Sequence, residues 1–354
     1  MKRQKIKLHF LGILLLLQFS VIAQKTVSII GVGDIMMGTT YPESPAGAYI
    51  TADDGKTLFA EVSPYFKTAD IVFGNLEGVL LNKGGSPKNC KNPDVCYIFR
   101  MPEHYVNHLT NAGFNLINIA NNHTHDFGRN AAENTYKVLT QAGIHVTGLE
   151  NVCEHKIFKH NGITYGFCGL APNTGTVSIN NYPKIKEIVT YLDSLCDIVI
   201  VSFHGGAEGG SHNRVTKQRE IFLGENRGNV YELAHLCIDW GADVVFGHGP
   251  HVPRAIELYK DRFIAYSLGN FCTPYRVNIK GNGGYAPIIK VITDTKGQFI
   301  SGEIKSAVQS DRTGPKYDEQ KICIKEIKKL TDLDFPNGEL DISEEGIVTK
   351  KKKK

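Results

Sequence analysis

Apolar residues in this chain gather in short runs rich in Val, Ile, Leu and Phe, and each run ends on polar side chains able to do chemistry. Residues 26–30, 71–73, 115–120, 197–203 and 243–246 read as buried strands. Helical patterns lie between them. Residues 131–142 have helical character and stop at Gly143. Residues 182–195 place Ile185, Ile188, Tyr191, Leu192 and Leu195 near helical spacing. Residues 230–240 put Val230, Leu233, Ala234, Cys237 and Ile238 on one face and stop at Gly241. A strand candidate follows each helix within a few residues, at 145–147, 197–203 and 243–246, which is α/β architecture. Residues 263–266, 286–293 and 299–304 read as further strands. A turn at Asp294-Thr295-Lys296-Gly297 predicts that the last two are antiparallel, completing a second sheet of the same domain. From 311 onward the chain is polar, Lys-rich and weakly periodic, which predicts one short helix near 322–330 and then a loose tail.

Five motifs end these runs: Gly33-Asp34-Ile35-Met36, Asn75-Leu76-Glu77, Asn121-Asn122-His123, His204-Gly205-Gly206-Ala207-Glu208 and Gly247-His248-Gly249-Pro250-His251. An α/β protein builds one site from distant segments by placing such residues at the C-terminal ends of its strands. Gly31-Val32-Gly33 lets the backbone aim the Asp34 carboxylate over the sheet edge. His248 and His251 are three apart with Gly and Pro between them, which suits a stiff loop presenting two imidazoles. Asn122 and His123 set an amide oxygen beside an imidazole, one suited to a metal and the other to proton donation. Carboxylate, amide and imidazole donors together suit a divalent Zn, Mn or Fe ion better than Ca or Mg.

Composition narrows the class. Of 354 residues, 42% are hydrophobic and 21% charged, as in an ordinary globular protein. The N-terminus carries Lys2, Arg3, Lys5 and Lys7, then an apolar stretch from Phe10 to Leu17, then Val21-Ile22-Ala23. That order reads as a signal peptide over residues 1–23 and predicts export, to the periplasm or the cell surface. An uncleaved N-terminal membrane anchor is the alternative. Cleavage leaves 36 basic against 36 acidic residues, and setting aside Lys350 to Lys354 leaves a body of net charge −5. The excess of positive charge therefore belongs to the two ends and gives no support to nucleic-acid binding. Of eight cysteines, Cys90 and Cys96 bracket a turn-rich stretch and are expected to pair in an exported chain. Cys168, Cys196 and Cys237 lie in apolar runs and read as core.

The motifs in order, with Ala120-Asn121-Asn122-His123 running on to Asp126 and Gly128, and Tyr266-Ser267-Leu268-Gly269-Asn270-Phe271 further on, resemble the CapA family. That family is associated with bacterial capsule and poly-γ-glutamate synthesis and is similar to the calcineurin-like metallophosphoesterases. The resemblance covers roughly 26–305 and leaves 306–354 as a polar C-terminal extension with a Lys tail. It implies a metallophosphatase-like α/β fold, a sandwich of two mainly mixed β-sheets flanked by helices. It also implies roles. Asp34 and His251 bind a first metal, Glu77 stands where a bridging carboxylate is placed, and Asn122, His204 and His248 bind a second. His123 donates a proton to the leaving group, while Asp126 and Glu208 orient His123 or contact substrate. Two positions depart from the metallophosphoesterase pattern: Met36 stands where Asp-x-His has its imidazole, and Glu77 replaces a shorter Asp. One metal in place of two is then an open alternative.

Three functions follow from the resemblance. The first is an exported metal-dependent hydrolase or transferase acting on an anionic polymer, poly-γ-glutamate or capsule, with a membrane synthase complex as a further partner. The second is a non-catalytic component that holds the polymer or the synthase and keeps a structural metal. The third is a periplasmic metallophosphoesterase of small substrates.

Overall fold

The computed structural model describes residues 25–43, 49–90, 96–310 and 312–352. The expected signal peptide and the last two lysines lie outside the described residues. Among the described residues no helix is long and apolar enough to cross a membrane.

The strand Thr26–Ile35 is buried along nearly its whole length because it has neighbours on both edges and both faces. It pairs in parallel with Ile71–Leu76 and antiparallel with Ile288–Asp294, and its end also meets Asn270–Cys272 in parallel. The large sheet runs Leu340–Ile342, Ile347–Lys350, Phe299–Lys305, Ile288–Asp294, Thr26–Ile35, Ile71–Leu76, Leu116–Asn118, His145–Thr147. A second sheet runs Ile256–Tyr259, Arg262–Ala265, Val244–His248, Ile198–His204, Ile163–Leu170, His155–His160. Both mix parallel and antiparallel pairs, so the α/β sandwich of two mixed sheets is as expected.

The sheets face each other across one apolar layer. Ile29, Phe73 and Leu116 of the large sheet meet Phe167, Ile200 and Phe246 of the other. The Phe73 ring stacks on Phe246 at 5.3 Å and meets the edge of Phe167 at 5.6 Å, contacts that lock the two layers in register. Helices Val106–Ala112 and Arg129–Gln141 cover the outer face of the large sheet through Leu109, Ala112, Ala132 and Leu139. Tyr182–Asp193 and Val230–Asp239 cover the outer face of the second through Ile185, Val189, Leu233 and Cys237. The Asn181 and Asn229 side chains cap these two helices by accepting from Lys184 N and Glu232 N.

Two expectations need correction. The segment 263–304 does not build one sheet: Arg262–Ala265 joins the second sheet, while Ile288–Asp294 and Phe299–Lys305 join the large one. The chain crosses between layers at 266–269, since Asn270–Cys272 already pairs with Thr26–Ile35, and the strand pattern alone carries no mark of that crossing. The short helix expected near 322–330 is present, but the described chain after it is not a loose tail. Helix Ile322–Asp334 packs Ile324 and Ile327 into the inter-sheet core, and Ile347–Lys350 pairs with Phe299–Lys305. Leu340, Ile342 and Val348 face inward while Asp341, Ile347, Thr349 and Lys350 are exposed, so the inward alternation is too short to read.

Candidate metal centre

The ends of the central strands bring two polar rows together. Across the large sheet the register sets Asn270, Asp34, Asn75 and Asn118 side by side. Across the second sheet His204 stands directly beside His248. Gly33 makes the first row possible. A Cβ at that position would lie 2.1 Å from the Gly269 carbonyl oxygen, so a larger residue would push apart the strands that carry Asp34 and Asn270. Beyond His248 the chain turns through Gly249 and Pro250 and holds His251 at φ 57°, a left-handed conformation that a β-carbon makes costly. Strain of this kind persists where the surroundings fix a side chain in place.

Asp34 is fully buried and accepts three hydrogen bonds. His248 Nδ1 donates at 3.0 Å and Asn75 Nδ2 at 2.8 Å to Oδ1, and His251 Nδ1 donates at 2.9 Å to Oδ2. Burial works against the ionised carboxyl, but the hydrogen bonds and charges of His248 and His251 outweigh it and hold Asp34 well below the usual carboxylate range. Because His248 spends Nδ1 on Asp34, its Nε2 is the atom left for a ligand, and that atom is buried with no partner.

Glu77 is the opposite case. It is buried, and neither of its oxygens has a hydrogen-bond partner. Its Oε1 is 3.6 Å from His204 Nε2 and its Oε2 is 3.9 Å from His251 Nδ1. Burial, then the charge of Asp34, pushes the Glu77 carboxyl well above its ordinary value. Burial holds His204 well below its ordinary value, so its imidazole is neutral, as a metal ligand must be. His251 goes the other way. Burial opposes its charge, yet Glu77, Asp34 and Glu208 around it raise it to about 10.

One ligand atom each from Glu77, His204 and His251 lies within 4.8 Å of the others. The unpartnered atoms are Glu77 Oε1 and Oε2, His204 Nε2, His248 Nε2 and Asn122 Oδ1, every one of them buried. Orphaned buried donors and acceptors are costly, on the order of 1–3 kcal/mol each, and a cation held among Glu77, His204 and His251 would satisfy the Glu77 and His204 atoms. The donor set therefore fits a divalent ion.

A second cluster follows the strand Leu116–Asn118. His123 Nδ1 donates to Asp126 Oδ2 at 2.8 Å, and its ring lies 4.3 Å from that of Phe99. The same Asp126 oxygen accepts from Phe99 N at 2.7 Å, while Lys88 Nζ lies 2.6 Å from Oδ1. Burial lowers His123 despite Asp126, so its resting imidazole is neutral with Nε2 free of the Asp126 contact. Asp126 is thus the residue that orients His123. Glu208 turns elsewhere: its Oε1 accepts from Arg227 at 2.9 Å and its Oε2 stands 4.0 Å from His251 Nε2.

Several residues here had no assigned role. Asn75 ties the clusters together, donating to Asp34 and accepting from Asn118 Nδ2 at 3.0 Å and Asn121 Nδ2 at 3.2 Å. Its place two residues before Glu77 at a strand end was the available signal. Asn270 accepts from His251 Nδ1 at 3.1 Å and donates to the His251 carbonyl at 3.1 Å. Lys88 lies in an irregular stretch that offered no signal. It is tied in by the Cys90–Cys96 disulfide close by, which forms as the spacing predicts. Cys168 and Cys237 are buried free thiols, and Cys196 is half-buried.

The family model described as "Bacterial capsule synthesis protein PGA_cap" matches residues 28–275. The chain belongs to this family. All nine residues singled out from the motifs, Asp34 through His251, fall inside the PGA_cap span, and so do Asn75, Lys88 and Asn270. Among curated relatives it is similar to the capsule biosynthesis protein CapA of Bacillus anthracis, 31% identical over 258 residues, 68% of this chain and 58% of that protein. It is also similar to the PGA biosynthesis protein CapA of Bacillus subtilis strain 168, 30% identical over 256 residues, 68% of this chain and 61% of the relative. The match thus spans about three fifths of the length of these relatives. Among solved structures it is similar to the calcineurin-like phosphoesterase YfkN of Bacillus subtilis, 14% identical, TM-score 0.47, covering 87% of this chain and 98% of the other.

Proposed function

We propose that this protein is an exported component of capsule, poly-γ-glutamate, biosynthesis that acts on the anionic polymer as a metal-dependent hydrolase or transferase. The observation that carries the metal is the set of buried, unpartnered donors: Glu77 Oε1 and Oε2, His204 Nε2, His248 Nε2 and Asn122 Oδ1. Family membership and the capsule relatives support the polymer. Asp34, Glu77, Asn122, His204, His248 and His251 would hold or orient one or two ions of Mn, Zn or Fe. When bound, such an ion supplies a Lewis acid and lowers the pKa of a water.

The chain's own residues do the rest. Asp34 fixes the His248 and His251 rings through their Nδ1 atoms. Glu208, held by Arg227, borders the centre beside His251 and faces an incoming substrate. Asp126, itself held by Lys88 and the Phe99 amide, keeps the His123 tautomer with its proton on Nδ1. A neutral His123 would take at Nε2 the proton given up by the attacking water and deliver it to the leaving group. Replacing His248 by Ala should remove metal and turnover together. Replacing His123 by Ala should keep the metal and slow turnover by about 10²–10⁴-fold. Elemental analysis of both variants, with assays on poly-γ-glutamate and on a chromogenic phosphodiester, decides the matter. A wild-type protein without metal sinks the reading, and activity on the phosphodiester alone makes it a phosphoesterase.

One observation favours a second reading. Met36 is a fully buried apolar residue at the position where the first motif of metallophosphoesterases has an imidazole. A non-catalytic polymer- or synthase-binding component with a structural metal would retain the ion and show no turnover with either substrate.

A further inference from the structure

The metal centre is rich in carboxylates: Asp34, Glu77 and Glu208 all surround His251. A polymer with a carboxylate on every unit extends beyond such a centre and needs cations along its length for its hold. Loops leaving the site end of the large sheet supply them. The strand ends at Asp34 and Asn270 lie side by side, and Met36 N donates to Cys272 O at 2.8 Å, so the chains that follow emerge together. They remain joined further out, where Thr39 bridges to Tyr49 and Tyr275 Oη donates to Ile50 O at 3.0 Å.

At that junction the Arg276 guanidinium lies over the rings of Tyr49, at 5.1 Å, and Tyr97, at 5.8 Å. The Arg312 guanidinium lies 5.0 Å over the ring of Tyr275, which stands 6.0 Å from that of Tyr49. Tyr49 and Tyr97 are exposed. Arg100, Arg227 and Arg254 each hold a glutamate, but among the described residues no carboxylate lies within ion-pair reach of Arg276 or Arg312. Arg276 also has a buried Nε with no partner and a left-handed backbone at φ 57°. Rings that pre-order a guanidinium while leaving most of its donors unspent make a receptor for carboxylates. A chain of contacts links it to the proton-transfer cluster: Arg276 reaches Cys96 O at 3.5 Å, Cys96 is bonded to Cys90, and Lys88 holds Asp126.

We propose that Tyr49, Tyr97, Tyr275, Arg276 and Arg312 form a polymer subsite, which grips side carboxylates of a poly-γ-glutamyl chain whose reacting bond lies at the metal centre. This rests on the polymer reading given above. The test is direct binding, independent of turnover. Fluorescence anisotropy with labelled long poly-γ-glutamate, a γ-glutamyl dimer and alginate is measured on the full chain, its Arg276→Gln/Arg312→Gln variant and an Arg276→Lys/Arg312→Lys variant. Melting curves confirm that each variant is folded.

The Gln variant should bind the long polymer at least about tenfold more weakly and with a shallower salt dependence, the loss of one well-paired ion contact being worth about that factor. The Lys variant keeps charge without the planar fork and should fall between. The dimer should bind all three alike. Equal binding of long poly-γ-glutamate by wild type and a folded Gln variant overturns the subsite and leaves the polymer reading standing. No binding by the wild type overturns both. Tighter binding of alginate than of poly-γ-glutamate overturns the peptide chain as occupant.

Discussion

Replacing Glu77 by Gln should make the metal-free protein more stable and the metal-supplied protein less stable than wild type. The substitution is isosteric and removes a charge from a buried site where two oxygens lack partners. Gln keeps two polar atoms there but loses the charge that burial and Asp34 disfavour, a relief of about 1–3 kcal/mol, and His251 keeps its 2.9 Å contact to Asp34. With an unfolding entropy of roughly 2.1 cal/mol/K per residue, a chain of 354 residues shifts its Tm by about 1.3 °C per kcal/mol. The variant should therefore melt about 1–4 °C higher in chelator. Metal at a hundredfold excess over Kd stabilises the wild type by about 2.7 kcal/mol and leaves a non-binding variant unmoved, so the ranking inverts. The pH dependence has a fixed sign. Glu77 keeps its proton in the folded state to well above the ordinary 4.5, so across that window the unfolded chain holds fewer protons and stability falls as pH rises. The gain from the variant is absent below about pH 4.5 and grows above it. Calorimetry at pH 4 and pH 8, with chelator and with added Mn or Zn, reads all four conditions. A wild type at least as stable as the variant in chelator at pH 8 would refute the reasoning.

Other consequences can be checked more briefly. His251, protonated up to about pH 10 in the metal-free protein, should shed its proton on metal uptake at pH 8, and pH-stat titration finding no proton release would contradict its place in the centre. Its own contribution to metal-free stability is full below its ordinary 6.5 and fades as pH rises through about 10. Gly33→Ala should lower stability by about 1–3 kcal/mol and weaken metal retention, because its methyl meets the Gly269 carbonyl; unchanged metal content would count against the strand-spacing argument. Replacing Cys90 and Cys96 together by Ser should cost about 2 kcal/mol in urea melts, the amount that closing so short a loop contributes, and an unshifted midpoint would show the loop is held by other contacts.

The central strands were legible because they are buried on both faces and ordered as apolar runs. The run at 197–203 is the strand Ile198–His204, and the patterned helices at 131–142 and 230–240 are Arg129–Gln141 and Val230–Asp239. Site residues at strand ends were legible for a related reason: a polar side chain directly after such a run has few structural uses. What escaped was set by three-dimensional pairing. Asn75 and Asn270 matter because of which strand lies beside them, a register that no local pattern encodes. Lys88 acts through a salt bridge to a residue 38 positions away, from a stretch without periodicity. The strand Ile347–Lys350 escaped because only one of its four residues is buried.

The donors of the centre are divided along the chain by chemical type. Asp34, Glu77 and Asn122, the oxygen donors, all precede residue 150 and stand on the large sheet's side; the imidazoles His204, His248 and His251 all come later and ride on the second sheet. Neither half carries both donor types, so an ion bound by all of them would require the second layer to have closed on the first. An ion captured there would act as a rivet through both layers and as a certificate that they have met. Two fragments separated between His145–Thr147 and Ile163–Leu170 would, on the same logic, reassemble in a metal-dependent way and make a split reporter for the ion.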